Sequence, residues 1–390
     1  MNFFSGGKKE KAILPTGLIA IGSGGIEVAI AVDGAIVFSA KKDLTSSARD
    51  SIENFSSAIY QGLAEVLTEL QKSSAVKPTS YHCILPAPLF INGIKTIEVA
   101  KDQPFVVSQK MIDQLMADSV KEFMADQPPL FTQLVGDTNR LIENDIFTAE
   151  LNGYAVAQCL GLKTKNLKLM HGLSYGSAQI LSAIEKTITA GTQQEKIRFH
   201  TFPAAAFLGL DAILGNDRDD YLIIDAGGEF TDLAVVHDRA LITHFSFPYG
   251  FNFMRRSLAD SLGTVPAEIS STINLYFQNK LADPARVKFE AVIAKERQAW
   301  LGYFLEAFKA VSATTFVFPT IYLLGDDLSA LFIQDFIKDP SLQEIVINKK
   351  YFNLSTITAL LNSSPIKTTM FTGASPLLNL VAPVFSKREG

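Results

Sequence analysis

Residues Tyr221 to Val236 read YLIIDAGGEFTDLAVV. A near-continuous apolar run ends at Asp225, the pair Gly227-Gly228 follows, and Thr231-Asp232 opens a second apolar run. Arg239-Ala240 then turns the chain toward Leu241. The pattern is strand, tight glycine turn, strand, turn, strand. A buried strand that ends in a carboxylate beside a flexible backbone can set charge and N–H donors around an anion. The G-x-x-x-x-G-K-[ST] loop is absent, and no helical pattern follows the glycines directly, so neither a P-loop nor a dinucleotide fingerprint is present. Taken alone, the stretch reads equally well as an ordinary β-hairpin with a glycine turn.

A second stretch gives it context. Leu18 to Ile21 is an apolar run, Gly22-Ser23-Gly24-Gly25 is a turn, Val28 to Val32 returns, and Asp33-Gly34 leads into Ala35 to Phe38. Asp-Gly is a favoured two-residue hairpin turn. The same order of strands and bends at Leu18–Phe38 and Tyr221–Phe247 points to two similar lobes.

Between and around these units the chain alternates helix and strand. Ile52, Phe55, Ile59, Leu63, Val66, Leu67 and Leu70 share helical spacing, and Tyr81 to Leu85 reads as a strand stopped by Pro86 and Pro88. From about residue 86 to 170 the texture changes. A short alternating segment surrounds Asn92-Gly93, and Ser108 can cap a helix carrying Met111, Ile112, Leu115, Met116, Val120 and Phe123. Phe131–Val135, Asp145–Leu151, Tyr154–Leu160 and Leu167–Met170 read as strands, with Asn152-Gly153 a hairpin turn. Tyr175–Thr187 reads as helix and Lys196–Phe202 as strand. Pro203 to Leu214 is an Ala- and Leu-rich helix in which Gly209 calls for a packing reason. Asn216–Asp220 is a polar hinge. Helices follow from Tyr249 to Val311, with Trp300, Phe304 and Phe308 as an aromatic core stripe. Thr320–Leu324 is an apolar strand, Leu328–Ile337 is helix-like and Ser364–Lys367 is loop. Met370–Leu380 has little polar content and no clear period.

The expected organisation is a flexible leader at 1–12, a first lobe at 13–85 and 173–215, and an inserted α+β module at 86–172. A second lobe at 216–390 includes a helical part at 249–316. With 390 residues, 47% hydrophobic and 19% charged, the chain can bury a large core. Its 28 Phe against one Trp fit a packed interior or an apolar binding face. A net charge of −5 without a long basic run gives no support for nucleic acid as a partner. Cys83 and Cys159 sit in apolar runs and read as buried thiols, and the five His lack zinc-ligand spacing. No apolar run approaches roughly 18 residues, so no membrane-spanning helix is expected.

Together the two hairpin units, the strand and glycine at Leu324-Gly325, and the inserted module resemble the actin-like ATPase superfamily. The likeness is to the bacterial branch with the cell-division protein FtsA and the pilus-assembly protein PilM. It covers about Leu18 to Gly373. The fold it implies is α/β, the two-lobed actin-like (ribonuclease H-like) fold with a small inserted α+β subdomain for assembly. It implies ATP and Mg²⁺ as cofactors. By this resemblance Ser23, Gly24, Gly25, Gly227, Gly228 and Thr231 form two phosphate loops. Gly325 and Asp326 lie on the adenosine side, Phe202-Pro203-Ala204-Ala205 opens a linking helix, and Asp225 holds the metal through water. Asp232 is read as a structural anchor of its turn.

Three departures weaken the site. Ala20 stands where the family usually has Asp, Phe202 where it has Glu, and Gly325-Asp326-Asp327 where it has consecutive glycines. No catalytic residue is assigned, and Asp225 and Asp211 are the remaining weak candidates. The reading is a cytoplasmic scaffold of the FtsA/PilM type, at most an inefficient ATPase. It would bind a short peptide of a membrane-assembly protein, reach the inner membrane through that partner, and have residues 86–170 for self-association. The rival is an active ATPase or sugar-kinase-like phosphotransferase of the same fold. A two-lobed protein with no nucleotide role is the third reading.

Overall fold

The computed structural model describes residues 14–44, 52–125, 138–156, 158–215, 220–237, 239–312, 319–344, 346, 351–363 and 370–386. The expected leader, the strand at Phe131–Val135, the loop at Ser364–Lys367 and hinge residues 216–219 lie outside these residues.

The first lobe is a five-stranded sheet in the order β3-β2-β1-β4-β9. Its strands are β1 (Thr16–Ile21), β2 (Gly25–Val32), β3 (Ala35–Asp43), β4 (Ser80–Leu85) and β9 (Ile197–Thr201). The first three are antiparallel, and β1, β4 and β9 run parallel. Asp33 and Gly34 both take positive φ, 51° and 80°, as a type I′ turn requires. Successive side chains on a strand face opposite sides, so a strand buried on both faces reads as unbroken apolar sequence. On β2, Ile26, Val28 and Ile30 pack beneath helices α1 (Ile52–Ser73) and α3 (Ala178–Thr192). The alternate residues Ala29 and Ala31 face the other lobe.

The second lobe repeats this plan as β12-β11-β10-β13-β14. The strands are β10 (Tyr221–Asp225), β11 (Thr231–His237), β12 (Ala240–Phe247), β13 (Thr320–Leu324) and β14 (Asn353–Thr356). Leu222, Ile224, Leu233 and Val235 face an outer core with α5 (Phe251–Leu262), α6 (Pro266–Phe277), α7 (Asp283–Ser312) and α8 (Asp327–Phe336). Trp300, Phe304 and Phe308 of α7 lie in that core, each at most 1% exposed.

The inward residues of both sheets share one core with the short helix α9 (Ile357–Ser363) and two longer helices, α4 (Phe202–Leu214) and α10 (Pro376–Phe385). Gly209 of α4 is where they touch: a Cβ there would lie 2.6 Å from Leu380 Cγ. The Met370–Leu380 stretch is therefore not featureless. It leads into a helix that is strongly apolar and buried nearly all round. Asn379 fixes the approach, with Oδ1 accepting from Phe371 N and Nδ2 donating to the carbonyls of Phe371, Ala374 and Ser375.

The inserted module is a four-stranded sheet, β5-β8-β6-β7, with α2 (Gln109–Ala125) against it. Its strands are β5 (Phe90–Val106), β6 (Asn139–Leu151), β7 (Tyr154–Val156) and β8 (Lys163–Ser177). Two expectations are corrected here. Leu167–Met170 is not a strand of its own, and Tyr175 is not helical; one long strand pairs through Tyr175 to Ser177, and Ser177 caps the helix that follows. The alternating segment around Asn92-Gly93 lies within β5, where Gly93 leaves room for the Phe123 ring of α2. The module also reaches the second lobe and α4, with Phe90 5.5 Å from His244 and Phe147 6.0 Å from Phe207 between ring centres.

Candidate functional site

Strands β1 and β10 end on glycine loops that meet across the lobe junction. Ser23 Oγ accepts from the backbone N–H of Glu229 at 2.8 Å and of Phe230 at 3.4 Å. A Cβ on Gly228 would collide with that same Oγ and sit 3.0 Å from Gly24 N. A Cβ on Gly24 would lie 2.5 Å from Asn252 Nδ2. These glycines serve the approach of one loop to the other. The second loop is also tied to α5: Gly250 N donates to Glu229 O, Phe251 N to Ala226 O and Asn252 N to Gly228 O.

Charge in the loop is settled locally. The half-buried Arg256 guanidinium grips the buried Glu229 carboxylate through two contacts, 3.0 and 2.5 Å. Asp225 Oδ1 accepts from Gly227 N at 2.9 Å. Burial pushes the Asp225 carboxyl up to about 7, and the nearby Asp232 and Asp326 carboxylates add to the rise against that hydrogen bond. Asp225 and Asp232 are direct partners in the β10–β11 ladder. Asp232 accepts from the Ser246 hydroxyl and meets His244 Nε2 at 3.3 Å, within its own lobe.

Other expected site residues have partners elsewhere. Thr231 is fully buried; its hydroxyl donates to Tyr249 O at 2.8 Å and accepts from Trp300 Nε1 at 3.2 Å. Both bonds hold it in the core of its own lobe. Asp326 caps α8, accepting from Ser329 N at 2.8 Å, so its carboxylate is turned to the helix. Ser329 also fills the space above Gly325. Asp211 stands nine positions beyond Phe202 on α4, about 13 Å along the axis from the end near the loops. Gly25 is held in the β2–β3 pair, where a Cβ would meet Lys42 O at 3.0 Å.

Two buried carboxylates escaped the sequence reading. Glu27, opposite Ala20 in the β1–β2 ladder, accepts from Ser375 N at 2.8 Å and so holds the head of α10. Burial raises its pKa. Glu143, on β6 of the module, accepts from Thr201 N at 2.9 Å, Thr201 Oγ1 at 2.8 Å and Ser174 Oγ at 2.6 Å. It places an acid at the start of α4, where Phe202 supplies none. Burial pushes it up to about 7 despite these donors. A cavity of about 10 Å³ beside it has room for roughly one water. No local sequence signal marks either residue, because each gains its role from a distant segment.

The residues at the loops do not fit ATP with Mg²⁺ as they stand. N–H donors suited to phosphate oxygens are bound to Ser23, and burial pushes the Asp225 carboxyl up, against the charged form that would hold a metal-bound water.

A scan of known sequence families finds no match, and neither does a search of curated protein sequences. Solved structures do match. A PilM–PilN type IV pilus biogenesis complex aligns over 95% of this chain and 97% of its own, at 14% identity and a TM-score of 0.59. The ethanolamine utilization protein EutJ from Carboxydothermus hydrogenoformans aligns over 94% and 90%, at 14% identity and a TM-score of 0.46. Lmo2764, a putative N-acetylmannosamine kinase from Listeria monocytogenes, aligns over 97% and 100%, at 13% identity and a TM-score of 0.42. At such identity the pilus protein's likeness bears on fold alone. With the repeated sheet order of the two lobes, it shows the two-lobed actin-like (ribonuclease H-like) fold.

Proposed function

We propose that this chain is an actin-like scaffold that binds a short segment of a membrane-assembly partner, with ATP hydrolysis weak or absent. The observation that carries this reading is the hydrogen bonding of Ser23 to the N–H groups of Glu229 and Phe230, which gives the second loop a protein ligand. The PilM–PilN complex is a chain of this fold held with a partner, and it motivates the partner class. Among the described residues no helix is long and apolar enough to cross a membrane. The proposed place is the cytoplasmic face of the inner membrane, reached through the partner. In this reading ATP and Mg²⁺ bind only if Ser23 gives way.

The test is titration with synthetic peptides covering cytoplasmic tails of membrane-assembly proteins from the same organism. Binding of one tail, unchanged by ATP and Mg²⁺, is expected. Absence of any peptide binding together with steady phosphate release would overturn the scaffold reading.

A further inference from the structure

We infer that the chain is its own lobe latch: the Ser23 hydroxyl takes the anion position of the second glycine loop and holds the lobes closed without a ligand. The inference deepens the scaffold reading and rests on it for its purpose, though the contact itself is independent of any partner.

A loop with successive N–H groups pointing outward attracts an anionic oxygen. Here the oxygen presented to Glu229 and Phe230 is a neutral hydroxyl from the opposite lobe. The choice fits its surroundings. The Glu229 side chain is already paired with Arg256, and a neutral hydroxyl completes the N–H cradle without bringing a further charge into the loop. The approach is close on every side. Gly228 touches Ser23 and Gly24, Gly24 in turn meets Asn252 at the head of α5, and the carbonyls of Ala226 and Gly228 are bound by the N–H groups of Phe251 and Asn252. Moving the first loop away therefore strips two N–H groups of their acceptor and opens a glycine-lined contact to water.

The latch is reinforced at the junction. On one side α10 ties the lobes through Glu27–Ser375 and through Gly34, where a Cβ would lie 3.2 Å from Pro383 Cα. On the other the module leans on the edge strand β12 through Phe90 and His244. In nucleotide-gated machines of two lobes, closure is set by ligand occupancy. Here Ser23 supplies the bridging oxygen from the chain itself, so a surface spanning both lobes keeps its shape without nucleotide.

Hydrogen exchange on the full chain tests this, comparing wild type with Ser23→Ala and Gly228→Val. In ligand-free wild type the amides of Glu229 and Phe230 should be protected. Ser23→Ala should speed their exchange roughly tenfold, the worth of one net hydrogen bond. Gly228→Val should speed it further and raise the radius of gyration, with Trp300 fluorescence unchanged as a check that the second lobe stays folded. If Gly228→Val does not fold, Ser23→Ala decides alone. Unprotected wild-type amides, a Ser23→Ala variant that exchanges like wild type, or protection that appears only with ATP and Mg²⁺ would each overturn the latch. Peptide binding, measured separately, reports on the scaffold reading, so either idea can fail without the other.

Discussion

Glu143 and Thr201 lie 58 positions apart, yet the carboxylate of one accepts both the backbone N–H and the hydroxyl of the other. The inserted module thereby caps the helix that links the two lobes. Carboxylates are favoured at helix N-termini, where unpaired N–H groups and the helix dipole both point outward.

Because Glu143 is raised to about 7 in the folded chain, the native state holds a proton that the unfolded state has lost between about pH 4.5 and 7. Stability should therefore fall as pH rises through that window and level off above it. The contribution is on the order of 3 kcal/mol. Glu143→Gln should flatten part of the fall, and Asp225→Asn, acting on the other carboxyl raised to about 7, should flatten more. Denaturant melts between pH 5 and pH 8 check this. A Glu143→Gln profile parallel to wild type would refute it.

Gly209 and Leu380 should be coupled. Gly209→Ala gains helix propensity but drives a methyl into Leu380, so a net loss of about 1–3 kcal/mol is expected. Leu380→Ala alone should cost about 2–5 kcal/mol through the cavity it leaves. In the Leu380→Ala background the Gly209→Ala cost should shrink. A double-mutant cycle measures the difference.

Arg256→Ala leaves the buried Glu229 carboxylate without its bidentate partner, and a loss of about 2–3 kcal/mol is expected. Removing both charges, in Arg256→Met with Glu229→Gln, should recover much of it. Urea titration of the three variants is the measurement.

Nucleotide should do little to the wild type. Millimolar ATP with Mg²⁺ is expected to leave the thermal midpoint in place, since a ligand stabilises only in proportion to its occupancy of the native state. Phosphate release should match the buffer blank, and Asp225→Asn should not alter it. A rise of several degrees, or release abolished by Asp225→Asn, would favour the enzymatic alternative.

Local chemistry made much of this architecture readable. Asp33-Gly34 and Asn152-Gly153 take the positive φ values their hairpins need, and the Trp300, Phe304, Phe308 stripe is core. Strands buried on both faces announced themselves as unbroken apolar runs. What stayed hidden depends on partners far along the chain. Ser23 and Glu229 are 206 positions apart, and nothing near either tells that a hydroxyl will meet that N–H. Thr231 has the residue type of a phosphate ligand, but Trp300 and Tyr249 claim its hydroxyl. Met370–Leu380 gave no period because only its second half, from Pro376, is helical.

That helix, α10, also sets an order of assembly. It fills the seam between α4 and both sheets, yet it is made after all of them. During synthesis the Ala-rich side of α4 and the inner faces of both sheets wait for residues 376–385. Until then each lobe can form its outer core alone, while the seam is an apolar surface open to chaperones or to the wrong partner. Joining the lobes is thus a late, long-range step, and its rate should depend on how soon this short segment docks.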